Sequence, residues 1–314
     1  MSIIYVINKA NHISISSLLS DNDLFISTSS GKITARIVKK RTSKGALFMW
    51  KWEADGQAKA VVAIIHSAYE HHRRYAWLIE KFRSSGFHVV MGDLPGHGEQ
   101  AQNKVAHNED FQSYGTFVDQ LVEASISYNL PVFVMGHGLG ATLVMQSLQV
   151  KSIECAAVIL TSPWLHLKIH PSKLSTALSS MGKLAENVKS THDVTIKQLT
   201  RNYDVYSQDK DDSLYNTTIT LKWYHELQQL IKATTSRQES IQNIPILMMT
   251  AEQDKVTDQT YAKNWLQRQQ LSELQFKEWG NCFHDLFHEP EQEDVFLYTE
   301  SFMNNVLRSI GYIV

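Results

Sequence analysis

Residues 131–148 constrain the fold of this chain more than any other stretch. Pro131-Val132-Phe133-Val134-Met135 is an apolar run of strand length. It passes without a spacer into Gly136-His137-Gly138-Leu139-Gly140, after which Ala141, Leu143, Val144 and Leu148 recur at helical spacing. A strand that becomes a helix within five residues must bring the two backbones together where a Cβ would clash. Gly136 and Gly140 stand at those two points. A strand feeding directly into a helix is one half of the crossover unit from which parallel sheets are built.

The rest of the chain repeats that alternation. Stretches 47–53, 60–65, 87–91, 155–160, 244–250 and 274–279 read as strands, and 74–83, 111–128 and 291–310 as helices. The expected fold class is α/β, a mainly parallel sheet covered by helices on both faces. In such sheets, sites form at the carboxyl ends of the strands. Residues 166–240 interrupt the pattern and read as mostly helical. Leu174, Ala177, Leu178, Met181 and Leu184 share one face there, and Trp223, Leu227, Leu230 and Ile231 another. Such an insertion is either a cap that walls an apolar pocket or a set of helices packed on for stability. The expected organisation is therefore a core of 47–165 and 241–314, a helical cap of 166–240, and an N-terminal extension, 1–46, without an assigned role.

Composition narrows the classes of function. Thirty basic and 32 acidic residues leave a net charge of −2, too little field to hold a polyanion, so no nucleic-acid partner is expected. Cys155 and Cys282 are too few for a disulfide framework, which makes a reducing cytoplasm the expected setting. No apolar run approaches the ~20 residues of a membrane-spanning helix, and the first residues lack the basic segment of a signal peptide. No phosphate-binding loop is present. Gly136-His137-Gly138-Leu139-Gly140 lacks the spacing and acidic partner of a dinucleotide site, so no cofactor is expected.

Strand, glycine turn and helix at 131–148 resemble the nucleophile elbow of α/β-hydrolases, G-x-S-x-G, with Gly138 in the place of the serine. From about Met49 onward the chain resembles the monoacylglycerol lipase and lysophospholipase branch of that superfamily. His66-Ser67-Ala68-Tyr69-Glu70-His71 with Tyr75 is similar to the branch's H-G-x-G-E-H…Y segment, with Ser67 replacing a glycine. Asp93-Leu94-Pro95-Gly96-His97-Gly98 is similar to its D-x-x-G-H-G turn. Leu199-Thr200-Arg201-Asn202 and Asp212-Ser213-Leu214 through Trp223 resemble its cap. Ala251-Glu252-Gln253-Asp254-Lys255-Val256 resembles the loop bearing the triad acid, and Phe283-His284-Asp285-Leu286 the turn bearing the triad histidine.

The resemblance implies a triad position at Gly138 without its nucleophile, an acid at Asp254 and a base at His284. It implies oxyanion donors in the backbone N–H groups of Ala68 and Leu139. His66, Ser67, His137 and Trp223 are the expected substrate-contacting residues. Asp258 competes as the acid but reads better as a helix cap. Ser67, Ser162 and Cys282 are the substitute nucleophiles to consider; none lies on the elbow. His284 and His288, four apart, echo a zinc motif that lacks its glutamate and a third ligand, so no metal is expected.

Three functions follow as expectations. The first is a hydrolase of carboxylic esters whose chemistry is impaired at Gly138. The second is a non-catalytic protein that binds an acyl ester or monoacyl lipid. The third is proton abstraction by an Asp254–His284 pair. The expected partner is a small acyl ester or monoacyl lipid, with transient membrane-surface contact through the cap.

Overall fold

The computed structural model of the chain describes residues 24–28, 31–42, 45–98, 101, 110–171, 188–209, 212–237 and 240–313, with side chains from Met49 onward except at 208 and 209. In chain order the elements are β1 (Leu24–Thr28), β2 (Gly31–Thr42), β3 (Gly45–Trp52), β4 (Ala60–Ile65), a 3₁₀ turn (His72–Tyr75), α1 (Ala76–Ser84), β5 (Phe87–Gly92) and α2 (Phe111–Ile126). Next come β6 (Val132–His137), α3 (Leu139–Val150), β7 (Ala157–Thr161), β8 (Lys189–Thr191), α4 (Ile196–Leu199), α5 (Tyr203–Asp209), β9 (Thr218–Thr220) and α6 (Leu221–Ser236). The core closes with β10 (Ile246–Ala251), α7 (Thr260–Gln267), β11 (Leu274–Trp279) and α8 (Gln292–Ser309).

Among the described residues the main sheet runs β1-β2-β3-β5-β4-β6-β7-β10-β11. From β5 to β11 every neighbouring pair is parallel. β1, β2 and β3 add an antiparallel edge. Residues 24–42, read from the sequence as part of an extension, thus supply two strands of this edge.

The central strands are apolar at every position because both their faces are covered. On β4, Val61, Ala63 and Ile65 join one core with α2, α3, α6 and α7. Ala60, Val62 and Ile64 point the other way, into a core with α1 and α8. β6 divides likewise, with Val132 and Val134 on the first side and Phe133 and Met135 on the second. The period of two in a strand is what splits one apolar run between two cores.

β4, β6, β7, β10 and β11 all end at the same edge of the sheet. The segments that follow them, 66–70, 138–140, 162–164, 252–257 and 280–285, therefore converge. Described parts of residues 188–237 hydrogen-bond to two of these segments or their neighbours. Asn216 donates its N–H to the Tyr69 carbonyl at 2.8 Å, and Asp285 donates to the Leu199 carbonyl at 2.9 Å. On α6, Trp223, Leu227 and Leu230 face inward and are buried, while Ile231 is half-buried. The apolar face expected over 174–184 lies outside the described residues.

Candidate active site

At the end of β6 the chain turns through Gly138 with φ +53° and ψ −115°, in the left-handed region that favours glycine. The turn is tied on both sides. Gly138 donates to the Thr161 carbonyl at 2.9 Å, and its own carbonyl accepts from Thr142 and Trp164, both at 3.2 Å. Gly136 and Gly140 cannot be anything else. A Cβ on Gly136 would lie 2.7 Å from the backbone of Ala141, and one on Gly140 would overlap the Ile65 carbonyl oxygen and lie 2.6 Å from that of His66. The elbow survives complete in its backbone.

Asp254 and His284, the expected acid and base, are brought side by side. His284 Nδ1 lies 2.8 Å from Asp254 Oδ2, and both side chains are buried. Asp254 also accepts from the N–H groups of Val256 (2.7 Å) and Thr257 (2.9 Å), from the Thr257 hydroxyl (3.0 Å) and from Gln259 Nε2 (2.6 Å). Burial alone would push this carboxyl up. The His284 imidazole and the donors from 256 and 257 outweigh burial and bring it to about 2. For His284 burial acts downward, and the Asp254 charge and hydrogen bond reverse it to leave the imidazole above its ordinary value. Asp258 takes no part: its carboxylate accepts from Thr260 N–H at 3.0 Å, capping the approach to α7.

The other face of His284 is occupied. Trp164, three residues past β7, donates its indole N–H to His284 Nε2 at 3.1 Å. With Nε2 accepting, the ring proton sits on Nδ1 and points at Asp254. Nε2 is the nitrogen that takes a proton in a hydrolase triad, so the lone pair needed for general-base work is engaged. Nothing local in the sequence marks this contact, which joins residues 120 positions apart.

Ser67 is the second occupant. Leu139, the expected oxyanion donor, gives its N–H to Ser67 Oγ at 3.1 Å. The Ser67 N–H is in turn fixed by Glu70 Oε1 at 2.6 Å, which also accepts from Tyr75 Oη at 2.6 Å. Burial pushes the Glu70 carboxyl upward, and His137 and Arg74 facing it reverse this and leave it below its ordinary value. Ala68, the other expected donor, is buried next to Ser67. Tyr69 stands where the resembling segment has its second glycine and holds φ +74°, strained for a residue with a side chain. Its ring stacks on His192 with centroids 3.6 Å apart.

The remaining expected residues are buried supports. His66 Nδ1 faces the Ser67 carbonyl at 2.6 Å while Nε2 accepts from Leu94 N–H at 2.8 Å, tying the 66–70 loop to the turn after β5. His137 meets Thr161 Oγ1 at 3.0 Å, beneath the elbow. Trp223 donates to Tyr114 Oη at 2.8 Å and packs 5.6 Å from the Tyr69 ring. Ser162 donates to the His284 carbonyl at 2.7 Å and so positions that loop. Cys282 is a poor nucleophile: burial, with Glu291 and Glu289 beside it, pushes its thiol up to about 12. His288 uses both ring nitrogens, at 2.7 Å from the Arg74 carbonyl and 2.8 Å from Asp285.

Comparison with known proteins agrees with this fold. The profile of the family Hydrolase_4, described as serine aminopeptidase S33, matches residues 56–291. Phospholipase YtpA of Bacillus subtilis is 37% identical over 261 residues, covering 82% of this chain and all of that protein. A monoacylglycerol lipase of Mycolicibacterium smegmatis is 23% identical over 77% of this chain and 87% of its own length. The crystal structure of a monoacylglycerol lipase from Paleococcus ferrophilus superimposes with a TM-score of 0.71 at 21% identity, covering 83% of this chain and 98% of the other. A soluble variant of the Saccharomyces cerevisiae monoglyceride lipase, in complex with a substrate analogue, gives 0.75 at 15% identity, over 85% and 94%. Among the described residues no helix is long and apolar enough to cross a membrane.

Proposed function

The chain belongs to the Hydrolase_4 family of α/β-hydrolases, in the branch that resembles monoacylglycerol lipases, and on that premise we propose that it binds a monoacyl lipid or small acyl ester without hydrolysing it. One observation carries the reading: position 138 has no hydroxyl, and the oxyanion donor beside it, Leu139 N–H, is already satisfied by Ser67 Oγ. Without a nucleophile on the elbow no acyl-enzyme forms there. Loss of that group alone costs a serine hydrolase on the order of 10⁶ in kcat.

The relatives' names supply the ligand class: a phospholipase and several monoglyceride lipases act on lipids. Tyr69, Trp164 and Trp223 supply an apolar wall suited to an acyl chain. Contact with a lipid surface would fall to the cap, where Tyr203 is exposed on α5. Proton abstraction by the Asp254–His284 pair has less support, because the lone pair it needs accepts from Trp164.

The test is to expose the protein to excess fluorophosphonate and weigh it intact, then titrate it with monoacylglycerol while following tryptophan fluorescence. No adduct and saturable quenching are expected. Release of fatty acid that disappears in His284→Ala would reject the reading.

A further inference from the structure

The three glycines of the elbow are glycine for different reasons. At Gly136 and Gly140 a Cβ would run into backbone, which cannot be moved without dismantling the sheet end. At Gly138 the obstacles are side chains. A Cβ there would overlap Ser67 Oγ, lie 2.7 Å from Ser67 Cβ and lie 3.1 Å from Trp164 Nε1. No backbone atom bars a side chain at 138, although the φ of +53° strains any residue but glycine there. Two neighbours fill the space that a serine side chain would take.

Those neighbours also make the two hydrogen bonds that a hydroxyl at this position is placed to make. A nucleophilic serine donates to the base, and its oxygen lies beside the oxyanion N–H. Here the donation to His284 Nε2 comes from the Trp164 indole, and the oxygen beside Leu139 N–H comes from Ser67. A buried imidazole nitrogen and a buried backbone N–H would each be costly to leave unpaired. Both are paired, from residues 120 and 72 positions away from their partners.

We propose that Gly138, Ser67 and Trp164 form one interdependent set, in which Ser67 and Trp164 together replace the missing hydroxyl, so that regaining ester hydrolysis requires all three positions to change. The proposal rests on the reading that hydrolysis is silent in this chain. Placing a serine at 138 alone leaves Ser67 on its Cβ and Trp164 on its base. With Ser67→Gly and Trp164→Phe also made, a hydroxyl at 138 can give its proton to His284 Nε2 while its oxygen bonds to the ester carbonyl carbon. The C–O bond to the alcohol then breaks, and His284 returns the proton to the departing oxygen. Water, deprotonated by the same nitrogen, releases the acid and restores the hydroxyl.

The experiment compares the parent, Gly138→Ser, the double variant with Ser67→Gly, and the triple variant that adds Trp164→Phe. Each is treated with fluorophosphonate and peptide-mapped, assayed on p-nitrophenyl butyrate, and melted. The expected result is no label on the parent or on Gly138→Ser, a lowered Tm for Gly138→Ser, and label at 138 in the triple variant with hydrolysis at least about 10²-fold above the parent. A Gly138→Ser protein as active as the triple variant overturns the proposal and leaves the silent reading intact. So does a folded triple variant that takes no label. Label on Ser67 of the parent overturns the silent reading itself. Should the triple variant not fold, Trp164→Phe alone decides through the ¹⁵N resonances of His284: a changed Nε2 shift supports the set, and an unchanged one overturns it.

Discussion

The Asp254–His284 half of the candidate site and its Gly138 half match the motifs they resemble to different degrees. Asp254 and His284 hold the geometry of a working pair, with five donors converging on the carboxylate. On the other side, the turn keeps the backbone path of an elbow, with Gly138 and Ser67 standing where the resembling motifs have serine and glycine. Both halves are buried and hydrogen-bonded, so neither looks decayed. The difference teaches that the packing and polar pairing of such a site do not depend on its carrying the motif's serine. Polar groups that remain buried must find partners whether or not catalysis continues.

The comparison breaks most sharply at the elbow backbone. Gly140→Ala forces a Cβ into the carbonyls of Ile65 and His66, with an expected cost of about 3 kcal/mol or more and failure to give a cooperative melt. Retention of the parent Tm would mean that the elbow is not as tightly closed as described.

Next in size is Asp254→Asn. The folded carboxyl sits at about 2, below the unfolded value. Its contribution is therefore complete above roughly pH 4 and is lost as pH falls toward 2. Removing it is expected to cost about 2–3 kcal/mol at pH 7 and to flatten the acid limb of the denaturant-derived stability profile. An unchanged acid limb would show that the dyad half is not the ionised structure described.

The smallest effect tests the rejected acid. Asp258→Ala removes one exposed cap at Thr260 N–H, worth about 1 kcal/mol or less. It should leave the His284 resonances unmoved. A shift there would bring Asp258 into the site after all.

The readable parts of the molecule share one property, locality. The elbow was legible because strand, glycines and helix lie within eighteen consecutive residues. Asp254 and His284 were legible because each follows a strand end in the order a hydrolase uses. Trp164 on His284 and Ser67 on Leu139 were not legible, since each contact joins segments that only the assembled sheet brings together. The glycine at 138 could be seen to lack a side chain, but not that its space was already filled. Residues 24–42 carried too weak an alternation to reveal that they extend the sheet beyond β3. Tyr69 shows the converse case. A bulky residue holds a glycine's backbone angle because Asn216 grips its carbonyl and His192 its ring, neither of which local propensity reports.

Asn216 donates to the Tyr69 carbonyl, and Asp285 to the Leu199 carbonyl. The first bond holds the loop that carries Ser67, the second the loop that carries His284. The two loops that meet at Gly138 are therefore each anchored from outside the sheet, by residues of the stretch that interrupts its strand–helix alternation.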